Sequence, residues 1–274
     1  MPELPEVECL RRSLARIVGR RVVRAELFRL DVTSWIGDAN DGAAWTGLPP
    51  GNEIFALHRR GKQLAIETRG GGVLVIHLGM SGQTLLDSTR VERTHTHACW
   101  TLDDGSTLSF RDPRRFGGLW AGRDIQAVEN VLWKGLGADA LNVTATMIQS
   151  VTRASKRAIK SILLDQRVVA GIGNIYADEA LFDAGIRPTS RRTLSDTLAN
   201  RLAASIRSTL NAAITRGGST LRDYVDASGS AGSAQHLHRV YGRGGECCVS
   251  CGGVLRQISF LQRTTVFCPR CQPA

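Results

Sequence analysis

The chain has 274 residues, enough for two domains with hydrophobic cores of their own. Its net charge of +10 favours a polyanionic partner, most simply nucleic acid. The sequence has no apolar run long enough to span a membrane, and its N-terminus is acidic. It therefore predicts neither a transmembrane helix nor a secretory signal, and we expect a cytoplasmic protein.

The first predicted element is an amphipathic helix, because apolar residues recur at helical spacing from 4 to 14. In that register Glu3 and Glu6 are three residues apart and share one face. Pro2 and Pro5 suit the start of a helix, since proline is tolerated in the first turn.

The same residues also allow a chemical interpretation. Processing commonly removes an initiator Met that precedes a small residue, which would leave Pro2 as a free secondary amine. An α-amino group with a pKa near 8 is neutral in roughly 10–30% of molecules around pH 7, so it can attack an electrophilic carbon and form an imine. Glu3 or Glu6 could then supply a proton. On these residues alone, both interpretations remain open.

Residues from about 20 to 120 contain short β-type runs that are separated by turn signals. The predicted strands are Val22–Leu30, Ile54–His58, Leu64–Thr68, Val73–Leu78, Ala98–Leu102 and Thr107–Phe110. The Asp104-Gly105 pair between the last two runs indicates a hairpin. Many short strands without intervening helices predict an antiparallel β-sandwich.

After Gly122 the pattern becomes helical. The predicted helices lie near 124–133, 144–152, 155–165, 175–184 and 194–215. Asn174 is predicted to cap the fourth of them. The fold class is therefore α+β. We expect a β-sandwich domain over 1–122, a linker over 123–135, a helical domain over 136–225, a mobile loop and connection over 226–239, and a terminal element over 240–274.

Two Cys-x-x-Cys pairs near the C-terminus have the spacing of a zinc site. The predicted ligands are Cys248, Cys251, Cys268 and Cys271. A zinc ion held by four thiolates is structural and does no chemistry itself. The residues between the pairs, Val254–Ile258 and Thr264–Phe267, alternate as in a β-hairpin. Arginines on this hairpin, Arg263 among them, could bind phosphate or form a solvated face.

Two loops and a glycine-rich turn are further candidate sites. Residues 77–82 hold Met80 between two glycines, and residues 112–117 combine two arginines with Phe116. Such tips could wedge into a base stack, although a Met in this setting is more often core. The turn 171–174 lacks the third glycine and the preceding strand of a dinucleotide fingerprint, so we expect no organic cofactor. It could still bind phosphate, or Asn174 could serve only as a helix cap.

Taken in chain order, these motifs resemble one family. The motifs are Met-Pro-Glu-Leu-Pro-Glu-Val-Glu at the start, Arg-Arg-Gly-Lys at 59–62, His-Leu-Gly-Met-Ser-Gly at 77–82, Asp-Pro-Arg-Arg-Phe-Gly at 112–117, Ala-Gly-Ile-Gly-Asn-Ile-Tyr at 170–176, Val-Tyr-Gly-Arg at 240–243 and the four-cysteine element. Over nearly the whole chain they are similar to the Fpg/Nei family of DNA glycosylases, in its formamidopyrimidine-DNA glycosylase branch. Leu4 and the two loops distinguish that branch from the endonuclease VIII branch.

The resemblance implies a base-excision-repair glycosylase and lyase that acts as a monomer on oxidised purines, such as 8-oxoguanine and formamidopyrimidines, in double-stranded DNA. Pro2 would attack C1′ and form a Schiff base as the base leaves. Glu3 would donate the proton that opens the sugar, and Glu6 would help place the lesion or a water. β- and δ-elimination would then cut the strand. The implied C-terminal fold is a helix-two-turn-helix domain followed by a zinc finger.

The resemblance also implies DNA contacts. Lys62 and Arg263 would hold the phosphates of the lesion nucleotide at the catalytic site. Met80, Arg114 and Phe116 would fill the gap left by the flipped base, with Arg114 addressing the orphan cytosine. The other implied contacts are His77, His95, Arg115, Asn174 and Tyr241.

The sequence departs from the family at three places, of which one, Cys247 where a proline is usual, should matter little. In the 226–236 loop, which is associated with covering a flipped 8-oxoguanine, Gly232 is followed by Ser233-Ala234 instead of the aromatic pair common in relatives. Ser155 replaces a commonly basic residue, so that phosphate contact would be absent or made by Lys156. Two alternatives stay open: a glycosylase of the same fold that prefers oxidised pyrimidines, and a zinc-dependent DNA-binding protein without catalysis.

Overall fold

Two compact units make up the chain, and neither is continuous in sequence. The first comprises Met1–Gly135 and Arg216–Ser233, and the second comprises Leu136–Thr215 and Ala234–Ala274. The structure, a computed structural model, describes residues 2–36, 46–87 and 94–274. Met1, whose removal would free the amine of Pro2, lies outside the described residues.

The first unit is a β-sandwich of two sheets. Its strands are β1 (Val22–Leu27), β2 (Thr33–Ile36), β3 (Ile54–Arg60), β4 (Gln63–Thr68), β5 (Val73–His77), β6 (Gln83–Asp87), β7 (Thr96–Leu102), β8 (Thr107–Arg111) and β9 (Gly118–Gly122). A four-stranded antiparallel sheet has the order β1-β7-β8-β6, and a five-stranded sheet has the order β2-β9-β5-β4-β3. The predicted sandwich is confirmed, but β2 and β9 run parallel, so it is not wholly antiparallel.

Both sheets and the N-terminal helix share one apolar core. Helix α1 (Leu4–Ser13) contributes Leu10, the five-stranded sheet contributes Leu64 and Ile76, and the four-stranded sheet contributes Trp100 and Phe110. Fully burying one such side chain stabilises a fold by about 1.5–3 kcal/mol. The core therefore fixes α1, and with it the N-terminal residues, on the sandwich.

Helix α2 (Ile125–Val128) and a π-helical turn (Glu129–Trp133) cover the other face of the five-stranded sheet. Asp124 caps α2 by accepting a hydrogen bond from Ala127 N–H at 2.8 Å. Val128 packs there against Val73. The helix predicted near 124–133 is thus present as two short pieces.

The second unit is helical with a terminal hairpin. Its elements are β10 (Ala138–Asp139), α3 (Ala145–Ala154), α4 (Ile159–Leu164), β11 (Val169–Ala170), α5 (Asn174–Asp183), α6 (Asp196–Thr215), β12 (Arg256–Phe260) and β13 (Arg263–Phe267). α4 starts later than predicted, because Ser155 ends α3 in extended backbone. The predicted cap is wrong, since Gly173 is the N-cap and Asn174 is already helical. No helix in the described part of the chain is both long and apolar enough to cross a membrane.

The segment after α6 packs on the first unit. Ala227 is buried in the sandwich core and donates its N–H to Ser13 Oγ at 3.0 Å, while its carbonyl accepts from Leu86 N–H at 2.8 Å. Asp226 Oδ1 accepts from the N–H groups of Ser228 and Ser230, both at 2.9 Å. The start of the predicted 226–239 loop is therefore a hydrogen-bonded turn.

Three strands of the sandwich were not predicted. β2 is only four residues long, and β6 carries polar residues at both ends and has little alternation. β9 begins at Gly118 and ends at Gly122, and glycine is depleted in strands. In each case the strand depends on pairing with distant neighbours, which local sequence does not encode.

Candidate functional site

Two buried glutamates stabilise the N-terminal end of helix α1, which we call its head. The backbone N–H of Glu3, the N-cap, donates to Glu6 Oε2 at 2.7 Å. Glu6 Oε1 accepts from Ser219 N–H at 2.8 Å, and the Glu6 carbonyl accepts from the Tyr224 hydroxyl at 3.0 Å. Pro2 is buried and lies ahead of the first helical turn. The helix start and the nucleophile are therefore compatible interpretations, because the helix anchors Pro2 without including it.

Another carboxylate of α1 fastens the helix to the β3–β4 hairpin. Glu8 accepts from Arg59 Nε at 3.2 Å, and from Arg11 and Arg12 on its own helix at 2.9 Å each. Burial alone would raise the pKa of Glu8, but the hydrogen bonds from Arg11 and Arg12 outweigh it and lower the pKa to about 2. An ionised Glu8 thus holds α1 next to the turn that carries Lys62.

Lys62, in the turn just before β4, lies close to His77 at the end of β5. His77 is paired in register with Gln63, the residue after Lys62, and the Lys62 side chain is buried. Burial lowers the pKa of His77, and the positive charge of Lys62 lowers it further. His77 is consequently neutral at pH 7, so it can offer a hydrogen-bond donor or acceptor beside the ammonium group without adding a second charge.

The two predicted wedge loops, which we call the paired loops (residues 77–82 and 112–117), are joined by one carboxylate. Asp112 is fully buried and accepts from Ser81 Oγ at 2.6 Å and from Gly117 N–H at 2.7 Å. One buried anion therefore orders both loops.

The paired loops also touch through backbone and expose a mixed tip. Gly79 has a φ of +59°, and a Cβ there would lie 2.3 Å from the Phe116 carbonyl oxygen, so only glycine fits. Met80 is 43% exposed and Phe116 is 60% exposed. The Arg114 guanidinium lies over the Phe116 ring, 5.2 Å from its centroid. Met80 is therefore not a core residue, although a Met in such a loop usually is.

His95 and Arg115 differ from Arg114 in their surroundings. Both have a positive φ, 64° for His95 and 56° for Arg115, which is uncommon for residues other than glycine. The Arg115 guanidinium donates to Asp31 Oδ2 at 3.0 Å. The His95 carbonyl accepts from Asp112 N–H at 2.9 Å, so its backbone supports the paired loops.

In the second unit a buried carboxylate holds the segment that bears Tyr241. Glu179 Oε1 accepts from the N–H groups of Val240 and Tyr241 at 2.9 and 2.7 Å, and Oε2 accepts from Arg239 N–H at 2.9 Å. The His238 ring packs edge-on against Tyr241, with 5.6 Å between centroids. Three backbone hydrogen bonds to one anion fix the position of Tyr241.

Asn174 links helix α5 to the terminal hairpin. Its Nδ2 donates to the Thr264 carbonyl at 2.9 Å, next to the exposed Arg263. Two predicted phosphate contacts, Asn174 and Arg263, are therefore neighbours in the fold.

The four cysteines form the predicted metal site. Their sulfur atoms all lie within 4.8 Å of one another, with 3.9 Å between Cys248 and Cys271 and 3.5 Å between Cys251 and Cys268. Tetrahedral zinc with Zn–S bonds of about 2.3 Å requires S···S separations of roughly 3.8 Å, so the geometry fits one structural zinc ion. Beneath the site, Val266 and Leu255 belong to a small buried cluster.

The sequence did not reveal the carboxylates that organise these groups. Glu8, Asp112 and Glu179 each lie inside or beside a motif that we selected for other residues. Asp112 offered a signal, since Asp before Pro commonly starts a turn through its side chain. The other two gave none, because their partners are set by the fold.

Three family models match the chain. The formamidopyrimidine-DNA glycosylase N-terminal domain matches residues 1–119, the formamidopyrimidine-DNA glycosylase H2TH domain matches 136–225, and the zinc finger found in FPG and IleRS matches 245–274. These are the three parts that the sequence resemblance implied, in the same order.

Relatives that match over their whole length indicate the same family as the three models. The formamidopyrimidine-DNA glycosylase of Halorhodospira halophila is 42% identical over 281 residues, covering 99% of this chain and 100% of the relative. That of Solibacter usitatus is 41% identical and covers 99% of both. A complex of a Lactococcus lactis FPG mutant with Fapy-dG containing DNA has a TM-score of 0.88 at 34% identity over 100% of both chains. The MutM (FPG) protein of Thermus thermophilus has a TM-score of 0.84 at 39% identity, covering 99% of this chain and 98% of the other. The chain therefore belongs to the formamidopyrimidine-DNA glycosylase family.

Proposed function

We propose that this protein is a base-excision-repair glycosylase and lyase that removes oxidised purines from duplex DNA. The observation that carries the proposal is the head of α1, where Pro2 precedes the helix beside the buried carboxylates of Glu3 and Glu6. The names of the relatives and the Fapy-dG DNA bound to the Lactococcus lactis protein support the reaction and substrate class.

In the proposed reaction, Pro2 is the nucleophile once Met1 has been removed. Its nitrogen lone pair attacks C1′ of the damaged nucleotide, and the glycosidic bond breaks as the base leaves with the bonding electrons. The proton that the Pro2 nitrogen releases on forming the new bond balances the negative charge of the departing base. Glu3 gives a proton to the ring oxygen O4′, which opens the sugar and leaves an imine between C1′ and Pro2. Glu6 holds the backbone of Glu3 and so sets where that proton donor lies.

Strand cleavage follows from the positive charge on this imine. It acidifies the C2′–H bond, so loss of that proton expels the 3′ phosphate, and a second elimination expels the 5′ phosphate. Lys62 and Arg263 hold the phosphates in this scheme, assisted by His77, Asn174 and Tyr241. Each cation on a phosphate also makes DNA binding sensitive to salt.

Base extrusion is assigned to the paired loops. Flipping a nucleotide costs a few kcal/mol, and filling the vacated space offsets part of that cost. Met80 and Phe116 are apolar yet exposed, which suits insertion into a base stack, and Arg114 adds a donor that can address the orphan base. His95 and Arg115 are proposed as supporting contacts to the backbone of the DNA.

Borohydride reduction tests the proposal, because it traps an imine as a stable amine. We expect a covalent protein–DNA adduct on a duplex that contains one 8-oxoguanine opposite cytosine. The adduct should disappear in Pro2→Gly and in a preparation that retains Met1. Pro5→Ala is the matched control, since it alters a proline of the same helix start but leaves the terminal amine in place.

The same assay separates the alternatives. An adduct only on duplexes with an oxidised pyrimidine would indicate the other substrate preference. Absence of an adduct on every oxidised base, with tight DNA binding retained, would refute catalysis and leave a DNA-binding protein.

A further inference from the structure

A buried ion pair in the second unit has no part in the chemistry proposed above. Lys160 on α4 and Asp178 on α5 are both completely buried, and Lys160 Nζ lies 2.6 Å from Asp178 Oδ1. Removing two charges from water is costly even when they are paired, so such a pair adds little net stability compared with apolar residues. We therefore look for the role of the pair in the other groups to which Lys160 and Asp178 are hydrogen-bonded.

Both members of the pair reach the same strand of the zinc hairpin. Lys160 Nζ donates to Thr265 Oγ1 at 2.7 Å, and Asp178 Oδ2 accepts from Val266 N–H at 3.1 Å. Asn174 Nδ2 donates to the carbonyl of the preceding residue, Thr264, at 2.9 Å. Three successive residues of β13 are therefore fixed to helices α4 and α5.

Arg263 begins this strand and borders a cationic cavity of about 660 Å³. The opposite wall is formed by Lys156, Arg157 and Arg191. Asp165 is the one acid of the lining, and Arg157 already pairs with it at 2.9 Å. The cavity is thus strongly positive, with the hairpin on one side and α4 on the other.

The hairpin tip needs an anchor, because its turn is strained. Leu261 and Gln262 have φ values of 52° and 56°, a left-handed conformation that ordinary side chains disfavour at both positions. Arg263 follows this turn directly and is exposed. Its position thus depends on contacts further along β13, which are those of Thr264, Thr265 and Val266.

We propose that Lys160 and Asp178 are positioning residues, which set the zinc hairpin at a fixed separation from α4 so that Arg263 and the opposite wall can bind one stretch of DNA phosphates together. The ion pair acts as a spacer between the two walls of the cavity. This inference rests on the proposed DNA-binding function, but it concerns binding alone and requires no covalent step.

The test is a double-mutant cycle on DNA affinity. The variant Lys160→Met with Asp178→Asn removes both charges, while the new amide oxygen can still accept from Val266 N–H. We measure binding to a duplex that contains a tetrahydrofuran abasic-site analogue, which cannot be cleaved by the proposed chemistry. The pair variant should lose about ten-fold in affinity in the wild-type background and less than about two-fold in the Arg263→Ala background, since coupled residues are non-additive.

Arg256→Ala is the matched control, because this exposed arginine lies on the partner strand β12. The loss caused by the pair variant should be unchanged in that background. Hydrogen exchange of the β13 amides should also speed up. If the pair variant does not fold, Thr265→Val tests the same contact without exposing a charge. Additive losses in both arginine backgrounds, or unchanged affinity, would overturn the proposal.

Because the double-mutant cycle measures binding and the borohydride assay measures imine formation, the positioning proposal and the proposed function can be refuted independently. A missing borohydride adduct with non-additive affinity losses would leave the positioning role intact. An adduct together with additive losses would remove the positioning role alone.

Discussion

Replacing Asp112 should disorder the paired loops and leave the groups at the N-terminus of α1 in place. Its carboxylate is fully buried and accepts hydrogen bonds at 2.6 Å from Ser81 and 2.7 Å from Gly117. Hydrogen bonds to a charged group contribute about 1.5–3 kcal/mol each, so Asp112→Ala should destabilise the first unit by about 3–5 kcal/mol. In Asp112→Asn the amide can still serve both partners, and the expected loss is about 1–2 kcal/mol.

These free energies translate into melting temperatures. For a unit of about 150 residues, 1 kcal/mol lowers Tm by about 2–4 °C, which gives a fall of about 6–20 °C for the alanine variant and about 2–8 °C for the asparagine variant. Calorimetry measures this fall. Below the lowered Tm, the alanine variant should also lose about ten-fold or more of its preference for abasic-analogue over undamaged duplex, since filling the gap is worth part of the flipping cost.

Asp103→Ala is the control, because Asp103 is an exposed hairpin residue of the same sandwich. Its Tm and its lesion preference should match those of the wild type. An Asp112→Ala protein that melts within about 2 °C of wild type, against the shift expected from two charged hydrogen bonds, would refute the reasoning.

Two other perturbations test the electrostatics and the metal. The pKa of Glu8 is lowered from 4.5 to about 2, so the stability that ionised Glu8 contributes is complete above pH 4.5 and is lost as the pH falls through 2. Glu8→Gln should therefore lower the free energy of unfolding at pH 7 by about 1–3 kcal/mol. In this variant Tm should also fall less steeply between pH 4.5 and pH 2 than in the wild type. Equal slopes of Tm against pH in the wild type and in Glu8→Gln would contradict this prediction. Zinc removal by a chelator should unfold residues 240–274 but not the sandwich, because four-cysteine zinc contributes about 10–16 kcal/mol of folding free energy. A hairpin that keeps its hydrogen-exchange protection without metal would show that the cysteines are dispensable.

Local signals explain which parts of this fold could be predicted from sequence. The zinc ligands follow from two short spacings, and most strands and helices follow from alternation or helical periodicity over a few residues. The Asp104-Gly105 hairpin also formed as predicted, between β7 and β8. The exposure of Met80 could not be predicted, since it depends on the close approach of another loop at Gly79.

The organising contacts of the site were the hardest to predict because they join distant residues. Glu6 meets Ser219 across 213 positions, and Lys160 meets Thr265 across 105. No periodicity encodes such pairs. A motif search therefore finds the exposed groups that touch a ligand, and misses the buried groups that hold them.

The return of residues 216–233 to the first unit has a consequence for how the chain acquires its structure during synthesis. Glu6 and the core around Ala227 are completed only by this segment, which leaves the ribosome long after the sandwich strands. At 5–20 residues per second, the roughly 100 residues in between take about 5–20 s to make. During that interval the nascent sandwich has an uncovered edge of its core and an incompletely bonded α1. The head of α1 therefore reaches its final geometry only after most of the helical unit has been translated, and a fragment ending at residue 135 should not hold it.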